Sequence, residues 1–78
     1  MNLTLYGASW CAPCRQLKKY LEIKNIEYTY RDIQEYPESA GKLQELTGAM
    51  TIPVLADGDT VISVGLDYGK VAKYVKAE

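Results

Sequence analysis

Two cysteines separated by two residues are the part of the sequence best suited to chemistry. Cys11 and Cys14 lie in Trp10-Cys11-Ala12-Pro13-Cys14, between an alternating apolar stretch and a helical pattern. A sulfur at a helix N-terminus faces free backbone N–H groups and the positive end of the helix dipole, which stabilise a thiolate. Cys14 follows one helical turn later, so its sulfur can reach back to Cys11. The spacing therefore predicts that Cys11 attacks a substrate disulfide and that Cys14 then displaces the reduced product.

The same two cysteines have two other interpretations. They could be a structural pair, although so small a loop constrains the unfolded chain very little. They could bind a metal, but the chain has 2 Cys and no His, so a four-ligand zinc site would need ligands from a second copy. The absence of His also excludes catalysis by a Cys–His or Ser–His pair. We assign no metal ligand, and we note that Pro13 restricts the shape of the loop between the sulfurs.

Length and composition indicate a small globular protein. The chain has 78 residues, which predicts a single domain over residues 1–78. Charged residues make up 24%, hydrophobic residues 47%, and the formal net charge is −1, so no basic surface for nucleic acid is expected. No signal peptide pattern or apolar stretch long enough to span a bilayer is visible. We expect a cytoplasmic monomer without membrane partners, where reducing conditions favour catalytic over structural cysteines.

Hydrophobic periodicity predicts seven elements in the order β-α-β-α-β-β-α. They are a strand over 2–6, a helix over 13–24, a strand over 26–31, a helix from 37 to 48, strands over 52–56 and 60–64, and a final helix capped by Asp67. The first β-α-β unit requires parallel strands with a right-handed crossover, whereas Asp57-Gly58 indicates an antiparallel hairpin. The sequence thus predicts an α/β fold with a four-stranded mixed sheet and three helices, which lie on both of its faces.

The segment Thr51-Ile52-Pro53 is a second feature with possible chemistry. Proline just before a strand can simply mark the edge of the sheet. Alternatively, a cis Ile52–Pro53 bond could face the cysteine pair. The backbone N–H and C=O of Ile52 would then be available to an extended substrate that contains a cysteine, as in strand addition limited to one residue.

The chain resembles the glutaredoxins of the thioredoxin-like superfamily over nearly its whole length. Three segments carry the resemblance, and they are Cys11-Ala12-Pro13-Cys14, Thr51-Ile52-Pro53 and Gly65-Leu66-Asp67. The resemblance implies a thioredoxin-like fold and a thiol–disulfide oxidoreductase that reduces protein disulfides or glutathione mixed disulfides. It implies glutathione as co-substrate and no tightly bound cofactor. In this family the first cysteine attacks and the second resolves, which gives the same roles to Cys11 and Cys14.

The resemblance also implies a glutathione-binding site. Pro53 would be the cis-proline, the backbone of Ile52 would pair with the cysteinyl unit, and Asp67 with nearby amides would hold the γ-glutamyl end. The expected glutathione-binding residues are Thr51, Ile52, Pro53, Gly65, Leu66, Asp67 and Arg15, with support from Tyr6, Trp10, Ala12 and Pro13. Two of these residues have a second interpretation: Asp67 could only cap the last helix, and Tyr6 could belong to the core.

The reductant is open between glutathione and thioredoxin reductase. Trp10-Cys11-Ala12-Pro13-Cys14 is similar to the Trp-Cys-Gly-Pro-Cys of thioredoxins, and Met50 stands where glutaredoxins often carry Arg. Arg15 and Lys18 could supply cations for the two carboxylates of glutathione. In size the chain is similar to the small glutaredoxin-like electron donors of ribonucleotide reductase. An alternative of another class is an iron–sulfur cluster carrier, in which two copies each contribute Cys11; a third is a binding module with an incidental cysteine pair.

Overall fold

Four strands and three helices follow one another in the order β-α-β-α-β-β-α, which confirms the predicted order. The computed structural model describes residues 2–75 of the chain. The elements are β1 (Leu3–Gly7), α1 (Ala12–Ile23), β2 (Thr29–Asp32), α2 (Pro37–Thr47), β3 (Val54–Asp57), β4 (Thr60–Val64) and α3 (Tyr68–Val75). Helices within residues 2–75 are all too short or too polar to cross a bilayer.

The four strands form one mixed sheet in the order β2-β1-β3-β4. The central strand β1 pairs in parallel with β2 and antiparallel with β3, and β3 pairs antiparallel with β4. The first pairing follows from the α1 crossover and the last from the short turn at Gly58, whose φ is 59°. The predicted thioredoxin-like topology is therefore confirmed, and it places the carboxyl end of β1 immediately before the cysteine pair.

Alternating side chains of the sheet build a core on each face. Leu5 and Leu55 point to the face covered by α1 and α3, whereas Tyr6 and Val54 point to the face covered by α2. The buried members of the first cluster are Leu3, Leu5, Leu17, Leu21, Leu55, Val71 and Val75, and those of the second are Tyr6, Leu43, Val54 and Ala56. This packing fixes α1 on the sheet and with it the position of its N-terminus.

Two strands begin later than the periodicity predicts. After α1, Asn25 adopts a φ of 58°, and the Ile26 N–H donates to the Leu21 carbonyl at 2.9 Å. This pattern terminates the helix, so Ile26 completes the end of α1, and β2 starts only at Thr29. Strand β3 starts after Pro53, which has no N–H to contribute to a sheet ladder.

The predicted ends of α2 and the predicted start of α3 agree with the structure. Pro37 occupies the first turn of α2, and Gly48 ends that helix with a φ of 78°, a left-handed conformation that favours glycine. Before α3, the Asp67 Oδ1 accepts a hydrogen bond from the Lys70 N–H at 3.1 Å. Asp67 is therefore an N-cap, as its residue type predicts.

Ser63 lies on β4 and is 1% exposed, and its hydroxyl has no hydrogen-bond partner among the described residues. A buried hydroxyl without a partner loses its hydration and gains nothing in exchange. We expect Ser63→Ala to raise the free energy of unfolding by about 1 kcal/mol. Urea unfolding of the two proteins measures the difference, and a loss of stability would show that the hydroxyl makes a useful bond.

Gly7, the last residue of β1, lies close to Cys14 of α1. A Cβ at this residue would lie 3.0 Å from the Cys14 Cβ and 3.1 Å from the Cys14 Sγ, and Cys14 is 1% exposed. We expect Gly7→Ala to lower the free energy of unfolding by about 1–3 kcal/mol, because the packed Cys14 side chain has to move. Chemical denaturation of the oxidised protein measures this loss.

Gly41 provides the matched control for that substitution. It is exposed within α2, and a Cβ added there meets no atom within 4 Å. We expect Gly41→Ala to stabilise the protein by about 0.5–1 kcal/mol, because alanine loses less backbone entropy than glycine in a helix. Equal effects of the two substitutions would contradict the steric explanation for Gly7.

Candidate active site

Cys11 is the N-cap residue of α1. Its backbone is extended, with φ −94° and ψ 111°, and its carbonyl accepts the Arg15 N–H at 3.1 Å. Its Sγ accepts the Cys14 N–H at 3.2 Å, which is the bond that an N-cap side chain usually makes. The first turn of α1, all of which the structure describes, contains no acidic residue. The positive end of the helix therefore faces the Cys11 sulfur without an opposing carboxylate in that turn.

The two cysteines form a disulfide, with their Cα atoms 5.2 Å apart. They differ in access, because Cys11 is 7% exposed and Cys14 only 1%. Cys14 is enclosed by Gly7 of β1 and by the cluster that contains Ala8. A substrate can thus approach Cys11 directly, whereas Cys14 is accessible mainly to its own neighbour. The order of attack stays a prediction, and this difference in exposure favours Cys11 as the cysteine that a substrate meets first.

The loop that leads from β1 to Cys11 is held from two sides. The Ser9 N–H donates to the Asp32 Oδ2 at 3.1 Å, and the Arg15 Nη1 donates to the Ser9 carbonyl at 2.8 Å. In addition, the Cys11 N–H donates to the Ala8 carbonyl at 3.1 Å. One residue of β2 and one residue of α1 therefore hold the same peptide segment just before the N-cap.

Sequence reasoning did not identify Asp32, the last residue of β2. It is 8% exposed, and its Oδ1 accepts the N–H groups of Gln34 and Glu35 at 2.8 and 3.3 Å. An Asp directly after a strand is typical of a turn in which the side chain binds the following backbone amides, and this pattern could have indicated part of its role. The bond to Ser9 joins residues 23 positions apart, and no local pattern indicates it.

The segment before β3 contains a cis Ile52–Pro53 bond. The Ile52 side chain packs against the cluster formed by Ala8, Cys11 and Cys14. Ile52 lies outside the paired registers of β3, so its backbone N–H and C=O are not used in the sheet ladder. The sequence-based interpretation of Pro53 as a cis-proline facing the cysteines thus matches the geometry.

The segment that begins at Gly65 lies beside the cis-proline. The Gly65 N–H donates to the Pro53 carbonyl at 2.7 Å, and the φ of Gly65 is 79°. Leu66 is 40% exposed, and Asp67 follows as the cap of α3. The fold therefore places Gly65 beside Pro53. Pro53 directly follows Ile52, whose side chain packs against the cysteine pair.

Of the remaining predicted site residues, four are exposed and one lies in the core. Trp10 is 62% exposed, and Thr51, Ala12 and Pro13 are exposed as well. Tyr6 is buried in the cluster under α2, where desolvation raises the pKa of its hydroxyl. The structure thus places Tyr6 in the core.

Two of the basic residues on α1, Arg15 and Lys18, are expected from the sequence to meet an anionic substrate, and both make contacts within the chain. The Arg15 guanidinium binds the Ser9 carbonyl, and the Lys18 Nζ lies 4.7 Å from the centroid of the Tyr30 ring. Burial is the main cause of the raised pKa of Tyr30, and the Asp32 and Glu35 carboxylates add to it. Within residues 2–75, no group of three or more His, Cys, Asp or Glu side chains is close enough to bind a metal ion.

Comparisons with known proteins agree with this geometry. Residues 3–62 match the family model described as Glutaredoxin. A protein of Mycobacterium tuberculosis named as a candidate glutaredoxin is 36% identical over 77 residues, which span 95% of this chain and 90% of that protein.

Two solved structures have the same fold. The glutaredoxin-like NrdH-redoxin of Escherichia coli superposes with a TM-score of 0.80 at 25% identity, over 94% of this chain and 93% of that one. The glutaredoxin of Archaeoglobus fulgidus gives a TM-score of 0.84 at 20% identity, over 96% and 86% of the two chains. Because the family match spans most of the chain and the cysteine pair occupies the start of α1, the chain belongs to the glutaredoxin family and is a thiol–disulfide oxidoreductase.

Proposed function

We propose that the chain reduces disulfides in two exchange steps. The Cys11 thiolate attacks one sulfur of the substrate, forms a mixed disulfide and releases the other sulfur as a thiolate. The Cys14 thiolate then attacks the Cys11 Sγ, releases the second substrate sulfur and leaves the Cys11–Cys14 disulfide. The cysteine pair has given two electrons to the substrate. A reductant must then supply two electrons to open the Cys11–Cys14 disulfide again. The observation that carries this proposal is the Cys11 Sγ at the N-cap of α1, 3.2 Å from the Cys14 amide.

The first test concerns the acidity of Cys11. In Cys14→Ser, the thiolate absorbance of Cys11 should titrate with a midpoint below about 8.5, the value of a free thiol. The physical reason is that the amides and dipole at the start of α1 stabilise the thiolate. The matched variant Cys11→Ser reports on Cys14, whose midpoint should not be lowered. A Cys11 midpoint at or above the free value would contradict the proposed activation.

Glutathione is the first candidate reductant and co-substrate. In this proposal the backbone of Ile52, which the sheet ladder does not use, pairs with the cysteinyl unit of glutathione. Asp67 and the amides near it hold the γ-glutamyl end, since the Gly65 bond to Pro53 keeps this segment beside the cis-proline. The proposed binding residues are those expected from the sequence: Thr51, Ile52, Pro53, Gly65, Leu66, Asp67 and Arg15.

Thioredoxin reductase is the second candidate, and one structural observation favours it. Glutathione carries two carboxylates, which call for cations or free amides. Arg15 and Lys18 both contact the chain itself, and an exposed Met50 precedes the Thr51-Ile52-Pro53 segment. A thioredoxin-like activity profile belongs to the NrdH-redoxin of Escherichia coli, which shares this fold.

A comparison of reductants tests the glutathione proposal. The protein is supplied with a small disulfide substrate and either glutathione with glutathione reductase or thioredoxin reductase alone, and NADPH consumption is measured. We expect sustained turnover with glutathione. Turnover with thioredoxin reductase and none with glutathione would overturn the glutathione assignment and support the second candidate. Cys11→Ser should abolish turnover in both systems, which shows that the signal comes from the cysteine pair.

We further propose that the substrates are disulfide-containing proteins and that the chain works as a monomer in the cytoplasm. The exposed Trp10 and Leu66 offer apolar contact area, which suits a protein surface better than a fully polar ligand. Ribonucleotide reductase, the partner of the small redoxins that the chain resembles, is one candidate. A reducing compartment also keeps the cysteine pair cycling.

A further inference from the structure

We infer that Asp32 is a positioning residue, which holds the loop before Cys11 so that the Cys11 sulfur stays at the N-terminus of α1. The inference rests on the proposed role of Cys11 as the attacking cysteine. Asp32 does not touch the sulfur. It acts through the backbone of Ser9, whose N–H donates to the Asp32 Oδ2 at 3.1 Å.

The position of Asp32 in the sheet suits this role. It ends β2 directly opposite Gly7, the last residue of β1, and the Ile33 N–H donates to the Gly7 carbonyl at 2.9 Å. The loop to Cys11 leaves the sheet at this point, so the carboxylate lies beside the start of the loop. Because Asp32 is only 8% exposed, water competes little for its bond to Ser9.

The other side of the loop is held by α1. The Arg15 Nη1 donates to the Ser9 carbonyl at 2.8 Å, and the Cys11 N–H donates to the Ala8 carbonyl at 3.1 Å. The Ser9 residue is therefore held through its N–H by the sheet and through its C=O by the helix. Loss of the Asp32 bond would free the sheet side of the loop, and the Cys11 sulfur would spend less time facing the helix amides.

The two oxygens of Asp32 have separate partners, which makes the inference testable by one substitution. Oδ2 accepts from Ser9, whereas Oδ1 accepts from Gln34 and Glu35 in the turn before α2. Asparagine has a single oxygen, and its amide group is a donor. In Asp32→Asn that oxygen can still accept the N–H groups of Gln34 and Glu35. The side-chain NH₂ then faces the Ser9 N–H, and two donors cannot form a hydrogen bond. Asn should therefore loosen the loop and retain the turn.

The sign of the effect separates positioning from simple charge. Removing a carboxylate near a thiol favours the thiolate and moves its titration to lower pH. Loosening the loop has the opposite effect, because the sulfur leaves the helix N-terminus. Arg15 of α1 binds the Ser9 carbonyl, the Tyr30 ring of β2 lies beside Gly7, and the Lys18 ammonium of α1 lies over that ring. The substitution leaves all three groups in place.

The experiment measures alkylation of Cys11 by iodoacetamide in Cys14→Ser, from about pH 5 to about pH 9. Adding Asp32→Asn should move the midpoint of the rate profile to higher pH and slow the reaction below that midpoint about three- to tenfold, as expected for one lost hydrogen bond. Asp59→Asn is the matched control, since its side chain is 82% exposed and the change in charge is the same. It should leave the profile unchanged.

An unchanged or lowered midpoint in a folded Asp32→Asn protein would overturn the inference, and thermal unfolding shows whether the variant is folded. Should the variant not fold, amide hydrogen exchange of the protein with native Asp32 decides. The Ser9 amide should then be protected relative to the amide of Trp10, a residue that is 62% exposed, and unprotected exchange at Ser9 overturns the inference. Alkylation needs neither glutathione nor thioredoxin reductase, so the outcome is independent of the reductant. Failure of Cys11 itself to react as a thiolate in Cys14→Ser would instead contradict the proposed function.

Discussion

The site depends on one interaction, the capping of α1 by the sulfur of Cys11. The Cys14 N–H that this sulfur accepts belongs to the same turn that carries the second sulfur. In the proposed mechanism, this single turn both stabilises the Cys11 thiolate and presents Cys14. The cap keeps its geometry only if α1 does not move. Leu17 and Leu21 are both fully buried, and they hold α1 against the sheet beyond its first turn. The chemistry at one end of α1 thus relies on packing along its length.

The small core has to maintain this arrangement without a permanent crosslink. A domain of 78 residues buries a modest share of its surface, and many domains of this size gain stability from disulfides or metals. In the proposed mechanism the disulfide opens in every catalytic cycle, so it cannot serve as a constant constraint. The strict alternation of side chains along β1 and β3 compensates, because it supplies an apolar layer to helices on both faces.

Local patterns predict most of the fold and only part of the site. The period-2 and period-3.6 patterns identify every element, and Gly48 and Asp67 mark helix ends because their preferences are local. The predicted start of β2 is wrong because the Ile26 amide donates to the Leu21 carbonyl at the end of α1 and not to a neighbouring strand. Periodicity does not distinguish between these two uses of the amide. The contact of Asp32 with Ser9 escapes prediction for a different reason, since it exists only after β1 and β2 have paired.

Arg15 connects the geometry of the loop with the choice of reductant. Its guanidinium has five N–H donors, and the bond to the Ser9 carbonyl uses a donor on Nη1. A carboxylate of glutathione could bind the other donors while the loop stays held, so the two roles do not exclude each other. A bidentate grip on a carboxylate, however, requires two parallel donors to face outward. In the proposed glutathione complex, the bond to Ser9 would occupy one edge of the Arg15 guanidinium and leave the other edge for a carboxylate, and Met50 would add no cation to it.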